Sequence, residues 1–347
     1  MCEGWAFQIK GISPRLTPPK AGKPINAPVV QLDRALASEA SRPGSTPGGR
    51  TNLCKTNLSN SMSILISCLK SCNICPRNCK VNRLEGKTGY CKTGLDFNVA
   101  SYNVHHGEEP PISGINGSGT IFFANCNLSC VFCQNYPISQ LGNGKSCNIE
   151  KLTEIMLELE QKGVHNINLV TPTHLAVQIA ITIKKAKLQG LKIPIVYNTN
   201  GYDSVETLKT LDGLIDIYLP DAKYSKNTNS KKYSNASNYW QVNKKALIEM
   251  HRQVGELKIN KDGIATRGLI IRHLLLPKNI SGTKEVIRFI ANKISKDTFV
   301  SFMAQYHPAY NAFKYKELNR KITAKEYSSA AQALDEFGIT NGWVQEL

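Results

Sequence analysis

Short apolar runs alternate with amphipathic stretches from about residue 118 onward. Continuous Ile, Val, Leu and Phe runs predict strands with both faces buried, and apolar residues three and four positions apart predict helices between them. The six predicted strands span residues 119–125, 166–171, 193–199, 215–220, 268–276 and 299–305. The predicted helices span residues 149–162, 174–189, 204–211, 238–254, 282–294 and 323–337. Successive strand–helix units predict an α/β fold with a parallel sheet, either doubly wound or rolled into a barrel.

Two segments before residue 116 lack this pattern. Residues 1–61 are rich in Pro, Gly, Ser and Ala and show no sustained period, which predicts either disorder or an extension that is not native. Residues 62–115 are dense in Cys, Gly and Pro, which predicts a segment organised by a metal rather than by an apolar core. The strand–helix core is predicted to occupy residues 116–347.

Composition narrows the class of protein. Hydrophobic residues make up 41% of the chain, enough for a sizeable core. No apolar run approaches the ~18 residues of a membrane span, and the first residues do not form a secretory signal, so we expect a cytoplasmic protein with no membrane partner. The net charge of +17 comes from scattered basic residues rather than a dense block, which favours a solvated surface over nucleic-acid binding.

Eight of the eleven cysteines fall between residues 68 and 133. In a reducing cytosol, clustered thiols indicate metal or redox chemistry rather than disulfides. Cys126, Cys130 and Cys133 have the spacing C-x3-C-x2-C directly after the first predicted strand. Three thiolates leave one iron of a cubane cluster open to a small molecule, whereas four would suit simple electron transfer. This loop is therefore the principal candidate site.

The same spacing occurs at Cys68, Cys72 and Cys75, but no predicted strand precedes that copy. The stretch GSGTIFFANCNLSCVFCQNYPIS, residues 117–139, resembles the cluster loop of the radical S-adenosylmethionine superfamily. Four further stretches are similar to iron–sulfur proteins related to pyruvate formate-lyase activating enzymes. They are CNICPRNCKVNRLEGKTGYC (72–91), HHGEEPPISG (105–114), NINLVTPTH (166–174) and IDIYLPDAKY (215–224).

The resemblance covers about residues 72–347 and implies a partial (β/α)6 barrel. It also implies a [4Fe–4S] cluster on Cys126, Cys130 and Cys133, with S-adenosylmethionine bound to the open iron through its amino and carboxylate groups. Reductive cleavage of the C5′–S bond would give a 5′-deoxyadenosyl radical that abstracts hydrogen from substrate. A reductant such as flavodoxin or ferredoxin would supply the electron. The substrate stays open, and a protein that becomes a glycyl-radical enzyme is one candidate.

Polar residues at the ends of the second and third predicted strands are candidate contacts for S-adenosylmethionine. Thr171 and Thr173 stand where related enzymes often have a Gly-Gly-Glu segment. The alternative for Thr173 is a helix N-cap. Asn200 follows the third strand, where polar groups face the active mouth of a barrel. Ordinary turn chemistry is the alternative for Asn200.

Later strands supply further candidates. Asp221 and Lys223 match an Asp-x-Lys that contacts S-adenosylmethionine in the activating-enzyme relatives; the alternative is a surface ion pair. Arg272 resembles an arginine that approaches the methionyl group, although a structural buried pair would also explain a charge inside an apolar strand. His273 should face the other side of the sheet. His307 could contact the adenosine or be a structural histidine.

Cys72, Cys75, Cys79 and Cys91 have the spacing C-x2-C-x3-C-x11-C. Four thiolates suit either zinc or a second iron–sulfur cluster, and the small core of this segment favours zinc. Four unliganded reduced cysteines are the alternative. We interpret the loop at residues 105–111, HHGEEPP, as a solvated polar loop rather than as a metal or substrate element.

Two other classes of protein remain as alternatives. One is a metal-stapled nucleic-acid-binding module, and the other is a ferredoxin-like electron carrier. Six strand–helix units are more scaffold than either function requires.

Overall fold

The structure, a computed structural model, describes residues 66–347. The predicted extension at residues 1–61 and the start of the predicted cysteine-rich segment lie outside the described residues. The strands are β1 Phe97–His105, β2 Ser118–Phe123, β3 Lys145–Cys147, β4 Ile167–Val170, β5 Ile195–Thr199, β6 Ile217–Pro220, β7 Lys258–Ile259, β8 Ala265–Leu274, β9 Phe299–Met303 and β10 Gly342–Val344.

From β3 onward helices and strands alternate, except that two helices follow β6 and none separates β7 from β8. They are α1 Pro110–Ser113, α2 Tyr136–Ser139, α3 Ile149–Gln161, α4 Ala176–Leu188, α5 Val205–Thr210, α6 Asn227–Ser234, α7 Tyr239–Val254, α8 Thr283–Lys293 and α9 Ala324–Phe337. All six predicted helices are present, because their apolar residues recur at helical spacing and are buried. Helix α6 was not predicted, since its sequence NTNSKKYS is almost wholly polar.

The sheet runs in the order β10-β9-β8-β6-β5-β4-β2-β1-β3, with β7 paired to β8. The six predicted strands are β2, β4, β5, β6, β8 and β9, and they pair in parallel. The two ends of this order do not pair with each other, so the sheet is an open, partial barrel rather than a closed one. This arrangement confirms the predicted α/β partial barrel.

Three additions extend the predicted sheet at its edges. β1 and β3 join antiparallel beside β2, and β10 continues the parallel series beside β9. β1 lies inside the segment predicted as metal-organised, residues 62–115, yet it belongs to the sheet. Strand β1 alternates buried and partly exposed side chains, which is the pattern of an antiparallel strand with one buried face.

An apolar cluster lines one face of the sheet. Val196, Ile217 and Ile270, from β5, β6 and β8, pack against Ile112 of α1. The segment just before β2 therefore covers this face, below the carboxyl ends of the strands. No helix within residues 66–347 is long and apolar enough to cross a membrane.

Gly201 lies in the turn after β5, where the backbone approaches Asp221 and Asn243 closely. It has φ +74°, and an added Cβ would lie 2.1 Å from the Asp221 carbonyl oxygen and 2.3 Å from Asn243 Nδ2. Gly213 has φ +76° with open space around its Cβ position. We expect Gly213→Ala to cost about 1 kcal/mol through its backbone conformation alone, and Gly201→Ala to cost clearly more. Urea unfolding of the two variants measures the difference, and equal losses would contradict the described contacts.

Candidate active site

The loop between β2 and α2, residues 124–135 and named here the cluster loop, carries Cys126, Cys130 and Cys133. Asn125 turns the chain into this loop with φ 69°, so the thiols stand at the carboxyl end of β2. Burial raises the pKa of Cys126 to about 12, and the neighbouring thiols of Cys130 and Cys133 add to that rise. The three sulfurs are thus close enough to influence one another electrostatically.

Hydrogen-bond partners surround the three sulfurs. They are the Leu128 N–H and Asn200 Nδ2, each 3.3 Å from Cys126 Sγ, Ser234 Oγ, 2.9 Å from Cys130 Sγ, and Ser139 Oγ, 3.1 Å from Cys133 Sγ. Donors aimed at sulfur stabilise the thiolate form, which is the form that binds metal. The hydrogen bonds around the loop therefore stabilise its three cysteines as thiolates, the form in which they bind metal.

The donor set fits a [4Fe–4S] cluster. Three thiols lie in one loop, none of them in a disulfide, which is the ligand number that leaves one iron open. Within residues 66–347, no group of three or more His, Cys, Asp or Glu side chains already stands in the arrangement of a metal site. The thiols would have to turn about their Cα–Cβ bonds to share a cluster.

Helix α6 supports the cysteine loop through backbone hydrogen bonds. The N–H groups of Ser129 and Val131 donate to the carbonyl oxygens of Ser234 and Tyr233, at 3.2 and 2.8 Å. These bonds use carbonyls at the carboxyl end of α6, which would otherwise need water. The polar helix that the sequence did not predict is thus a support of the cluster loop.

An aromatic wall encloses the loop on its buried side. Phe132 makes edge contacts with Tyr224 and Tyr306, and Tyr224 contacts Tyr239 in the same way. Leu128 packs in the same apolar cluster. The wall keeps bulk water away from one side of the three thiols, which strengthens electrostatic interactions there.

Asp221 and Lys223 follow β6 and form an ion pair of 2.5 Å beside the loop. Their side chains are 22% and 17% exposed, so the pair is mostly buried rather than open to solvent on the surface. Burial alone would lower the pKa of Lys223, but the Asp221 carboxylate raises it above its ordinary value. The positive charge in turn lowers the pKa of the Cys130 thiol, against the larger effect of burial.

Asn200 also lies at the loop, as its position after β5 predicted. Its Nδ2 donates to Cys126 Sγ and, at 2.7 Å, to Asn127 Oδ1. Asn127 is fully buried and donates to the Tyr202 carbonyl oxygen at 2.8 Å. Sequence analysis missed Asn127, although its position between two ligand cysteines was a usable signal.

Thr173 does not act as an N-cap, because no side-chain cap bond is present at the start of that turn or of α4. Its hydroxyl is buried and bonds the Thr199 hydroxyl at 2.8 Å. Thr171 is partly exposed, in the left-handed region with φ 60°. Of the two predicted residues, only Thr171 is placed where it could reach a ligand.

Four of the five N–H donors of Arg272 bond protein groups. Its Nε and Nη2 donate to Glu109 at 2.6 and 2.7 Å, Nη2 also bonds Glu108, and Nη1 donates to Asn198 at 3.1 Å. The structure thus favours the buried-pair alternative over a free contact for the methionyl group. The solvated-loop interpretation of HHGEEPP is wrong for its two acids, because the Glu108 and Glu109 side chains are only 8% and 2% exposed, whereas His106 and Gly107 are exposed.

The two histidines differ in placement. His273 faces away from Arg272, as predicted, and its ring bonds the Ala222 carbonyl oxygen and the Thr283 hydroxyl. Burial lowers the pKa of His273 to about 4, so it is neutral. His307 is exposed, with Nδ1 3.2 Å from Gln134 Nε2, at the rim of the cluster loop. Its predicted contact with adenosine stays a prediction.

Comparison with known proteins identifies the family. The sequence model of the radical SAM superfamily matches residues 120–290. The uncharacterized protein MJ0674 of Methanocaldococcus jannaschii is 30% identical over 281 residues, which is 78% of this chain and 76% of that protein. The chain belongs to the radical SAM superfamily. A second uncharacterized protein of that organism, MJ0808, is 26% identical over 259 residues, 69% of this chain and 71% of its own length.

Two solved structures show a more distant likeness to this radical SAM protein. One is HydG, a maturase of the [FeFe]-hydrogenase, with a TM-score of 0.43 and 14% identity over 63% of this chain and 48% of that one. The other is methylornithine synthase, PylB, with a TM-score of 0.44 and 13% identity over 63% and 62%. The radical SAM chain therefore spans less than two thirds of either protein.

Asp203 is a buried acid in the radical SAM core that sequence analysis missed. It accepts from the Thr199 hydroxyl at 2.6 Å and the Tyr197 hydroxyl at 3.2 Å. Burial raises its pKa from 3.8 to about 6, although these hydrogen bonds oppose the rise. Asp203 thereby fixes Thr199, the residue next to Asn200. Its place just after a strand end was the only signal in the sequence.

The pKa of Asp203 predicts a pH dependence of stability. Because the fold favours the protonated acid, its contribution is fully present below pH 3.8 and is lost as the pH rises through about 6. Relative to Asp203→Asn, the wild-type free energy of unfolding should fall by about 3 kcal/mol between these limits. Denaturant unfolding of both proteins from pH 4 to 7 measures this difference. A difference that stays constant with pH would show that Asp203 titrates normally.

Because Arg272 and Glu109 form a buried ion pair, we expect removal of the Arg272 charge to lower the free energy of unfolding strongly. Arg272→Met leaves a buried carboxylate without a cation, which we expect to destabilise the radical SAM protein by about 3–5 kcal/mol. The matched control is Arg288→Met, whose exposed pair with Glu285 should be worth at most about 1 kcal/mol. Chemical denaturation at neutral pH compares the two. Adding Glu109→Gln to Arg272→Met should restore part of the loss, and equal stability of both arginine variants would refute the pairing.

Proposed function

We propose that this radical SAM enzyme abstracts a hydrogen atom from a protein substrate, as the activating enzymes that it resembles do. The observation that carries the radical chemistry is the convergence of three thiols, Asn200 and the Asp221–Lys223 pair at the carboxyl edge of the sheet. The family match supports the use of S-adenosylmethionine. The protein substrate rests on the resemblance of residues 72–91 and 215–224 to the activating-enzyme subgroup.

Cys126, Cys130 and Cys133 would hold the cluster. When bound there and reduced, such a cluster would supply the electron for cleavage of the C5′–S bond of S-adenosylmethionine. The chain itself stabilises the thiolate ligands through donors from Asn200 and Ser234. The aromatic wall around Phe132 excludes water from one side of the site, which protects reactive species there.

Asp221 and Lys223 would orient the cofactor. A carboxylate can accept from the ribose hydroxyls or the amino group, and an ammonium can bind the methionyl carboxylate. Their ion pair beside the loop presents both charges at one place. Thr171 offers a further hydroxyl at the end of β4, which lies between β5 and the strand β2 that leads to the thiols. Arg272 is paired with two carboxylates, those of Glu108 and Glu109, whereas Lys223 is paired with Asp221 alone, so Lys223 is the better candidate for the methionyl carboxylate.

The exposure of the rim of the site and the net charge of the chain support the choice of partner proteins. His307 and Gln134 are exposed at the rim of the loop, which supports approach by a large substrate such as a glycyl-radical enzyme. The net charge of +17 would steer an acidic reductant such as flavodoxin or ferredoxin toward the protein. All nine described cysteines are unpaired, which supports a cytoplasmic location.

The alternatives receive less support. A nucleic-acid-binding module or a ferredoxin-like carrier would have no use for the Asp221–Lys223 pair beside a three-thiol loop. Neither is favoured by the family match.

Formation of 5′-deoxyadenosine tests the proposed chemistry. The protein is reconstituted anaerobically with iron and sulfide, reduced with dithionite and incubated with S-adenosylmethionine. We expect 5′-deoxyadenosine from the wild type and none above background from Cys130→Ala, which removes a cluster ligand. Chromatography of the quenched reaction quantifies the nucleoside.

Cys147→Ala is the matched control, because Cys147 is a buried, unpaired thiol in β3 outside the loop. It should keep wild-type turnover. A fully loaded wild-type protein that forms no 5′-deoxyadenosine would refute the proposed function.

A further inference from the structure

Four thiols of a second set lie together before β1. Cys75 lies close enough to Cys72, Cys79 and Cys91 for all three to raise its pKa, beyond the larger effect of burial. The chain doubles back between the first and third of them: the Cys72 N–H donates to the Val81 carbonyl oxygen, and the Lys80 N–H donates to that of Cys72, both at 2.9 Å. Residues 72–91, named here the cysteine strap, thus gather four sulfurs in a short segment.

Nitrogen donors point at three of these sulfurs. The Arg77 backbone N–H donates to Cys75. The Tyr90 backbone N–H lies 3.4 Å from Cys79 Sγ, and Arg83 Nη2 lies 3.4 Å from Cys91 Sγ. Neutral thiols need no such donors, whereas metal-bound thiolates are stabilised by them.

Among the residues that the structure describes, no carboxylate pairs with the guanidinium groups of Arg77 and Arg83 in the strap. Arg83 is 1% exposed; its Nη1 donates to the His174 carbonyl oxygen at 2.9 Å, and its Nε has no partner within residues 66–347. Arg77 donates through Nε to the Asn127 carbonyl oxygen at 2.8 Å and lies 3.7 Å from the centre of the Tyr90 ring. A buried cation without a counter-charge is costly. The described structure therefore lacks negative charge at this place.

The backbone of the strap is strained beside its cysteines. Asn78 and Lys80 flank Cys79 with φ 46° and 58°, and Lys92 follows Cys91 with φ 55°. Left-handed conformations cost non-glycine residues about 1–2 kcal/mol each and persist only where the surroundings impose them. A bound group that fixes the direction of each sulfur would impose them.

We propose that Cys72, Cys75, Cys79 and Cys91 bind a metal centre as four thiolates, with Arg83, which donates to Cys91 Sγ, as a counter-charge. Zn²⁺ or a [4Fe–4S]²⁺ cluster with four thiolates carries two negative charges, and the Arg83 guanidinium offsets part of this charge. As in the cluster loop, the four thiols are neighbours rather than a finished site, so they must rotate to converge. This proposal is independent of the proposed radical chemistry.

The metal centre would also brace the cluster loop. The Tyr90 hydroxyl donates to Ser129 Oγ at 2.7 Å and accepts from Asn235 Nδ2 at 2.9 Å. Arg77 adds its bond to the Asn127 carbonyl oxygen in the same loop. A metal that holds the strap in place would therefore also hold the strap residues that contact the loop with Cys126.

Metal analysis of a variant without the cluster ligands tests the proposal. In Cys126→Ser/Cys130→Ser/Cys133→Ser, purified anaerobically and passed over a chelator, we expect either one zinc, or four irons and four sulfides, per chain. X-ray absorption should show four sulfur neighbours at about 2.3 Å from the metal. Adding Cys75→Ser and Cys91→Ser should abolish binding. A folded triple variant with no metal, or with only oxygen and nitrogen ligands, would overturn the proposal.

Single substitutions in the otherwise wild-type protein provide a second test that does not depend on the folding of the triple variant. Arg83→Met should release the metal of the strap to a competing chelator about 10–100-fold more readily, while Arg288→Met, an exposed control, should match the wild type. Lys80, Lys87 and Lys92 are exposed already, so chelation should speed tryptic cleavage after them by loosening the backbone of the strap, and mass spectrometry measures that rate. If Arg83→Met and Arg288→Met hold metal equally, the counter-charge assignment is wrong.

Discussion

Placing three thiols side by side away from bulk water raises the free energy of every thiolate among them, and the carboxyl edge of the sheet is built around that cost. Each sulfur receives at least one hydrogen-bond partner, and Lys223 places a positive charge near two of them. These partners come from elements far apart in the chain. The parallel sheet is the scaffold that brings them to one edge.

The opposite problem, a buried positive charge, arises near the carboxyl end of β8, level with Asp221. There, β8 contains a guanidinium among apolar residues, and the loop before β2 provides two carboxylates to meet it. The pairing also fixes the loop that inserts Ile112 into the apolar cluster. Charge compensation and apolar packing therefore act on the same short segment, just ahead of the strand that leads to the cluster loop.

The parallel core was predictable because strands buried on both faces are written as unbroken apolar runs, and their helices as regular apolar stripes. The thiol loop and the polar residues after β5 and β6 were predictable for a similar reason, since spacing and position are local properties. The partners of Arg272 were not, because they lie 163 and 164 residues away and their sequence alone is that of a polar loop. Helix α6 was missed because its stability comes from contacts with the cluster loop rather than from an apolar stripe.

The bond between Ser234 and Cys130 joins residues 104 positions apart. During synthesis from the amino terminus, the thiol loop leaves the ribosome long before the helix that supports it. The loop therefore lacks a wall until β6 and α6 have been made and have docked. A cluster delivered to the nascent chain would meet an incomplete loop. We therefore expect cluster insertion to follow the folding of most of the barrel.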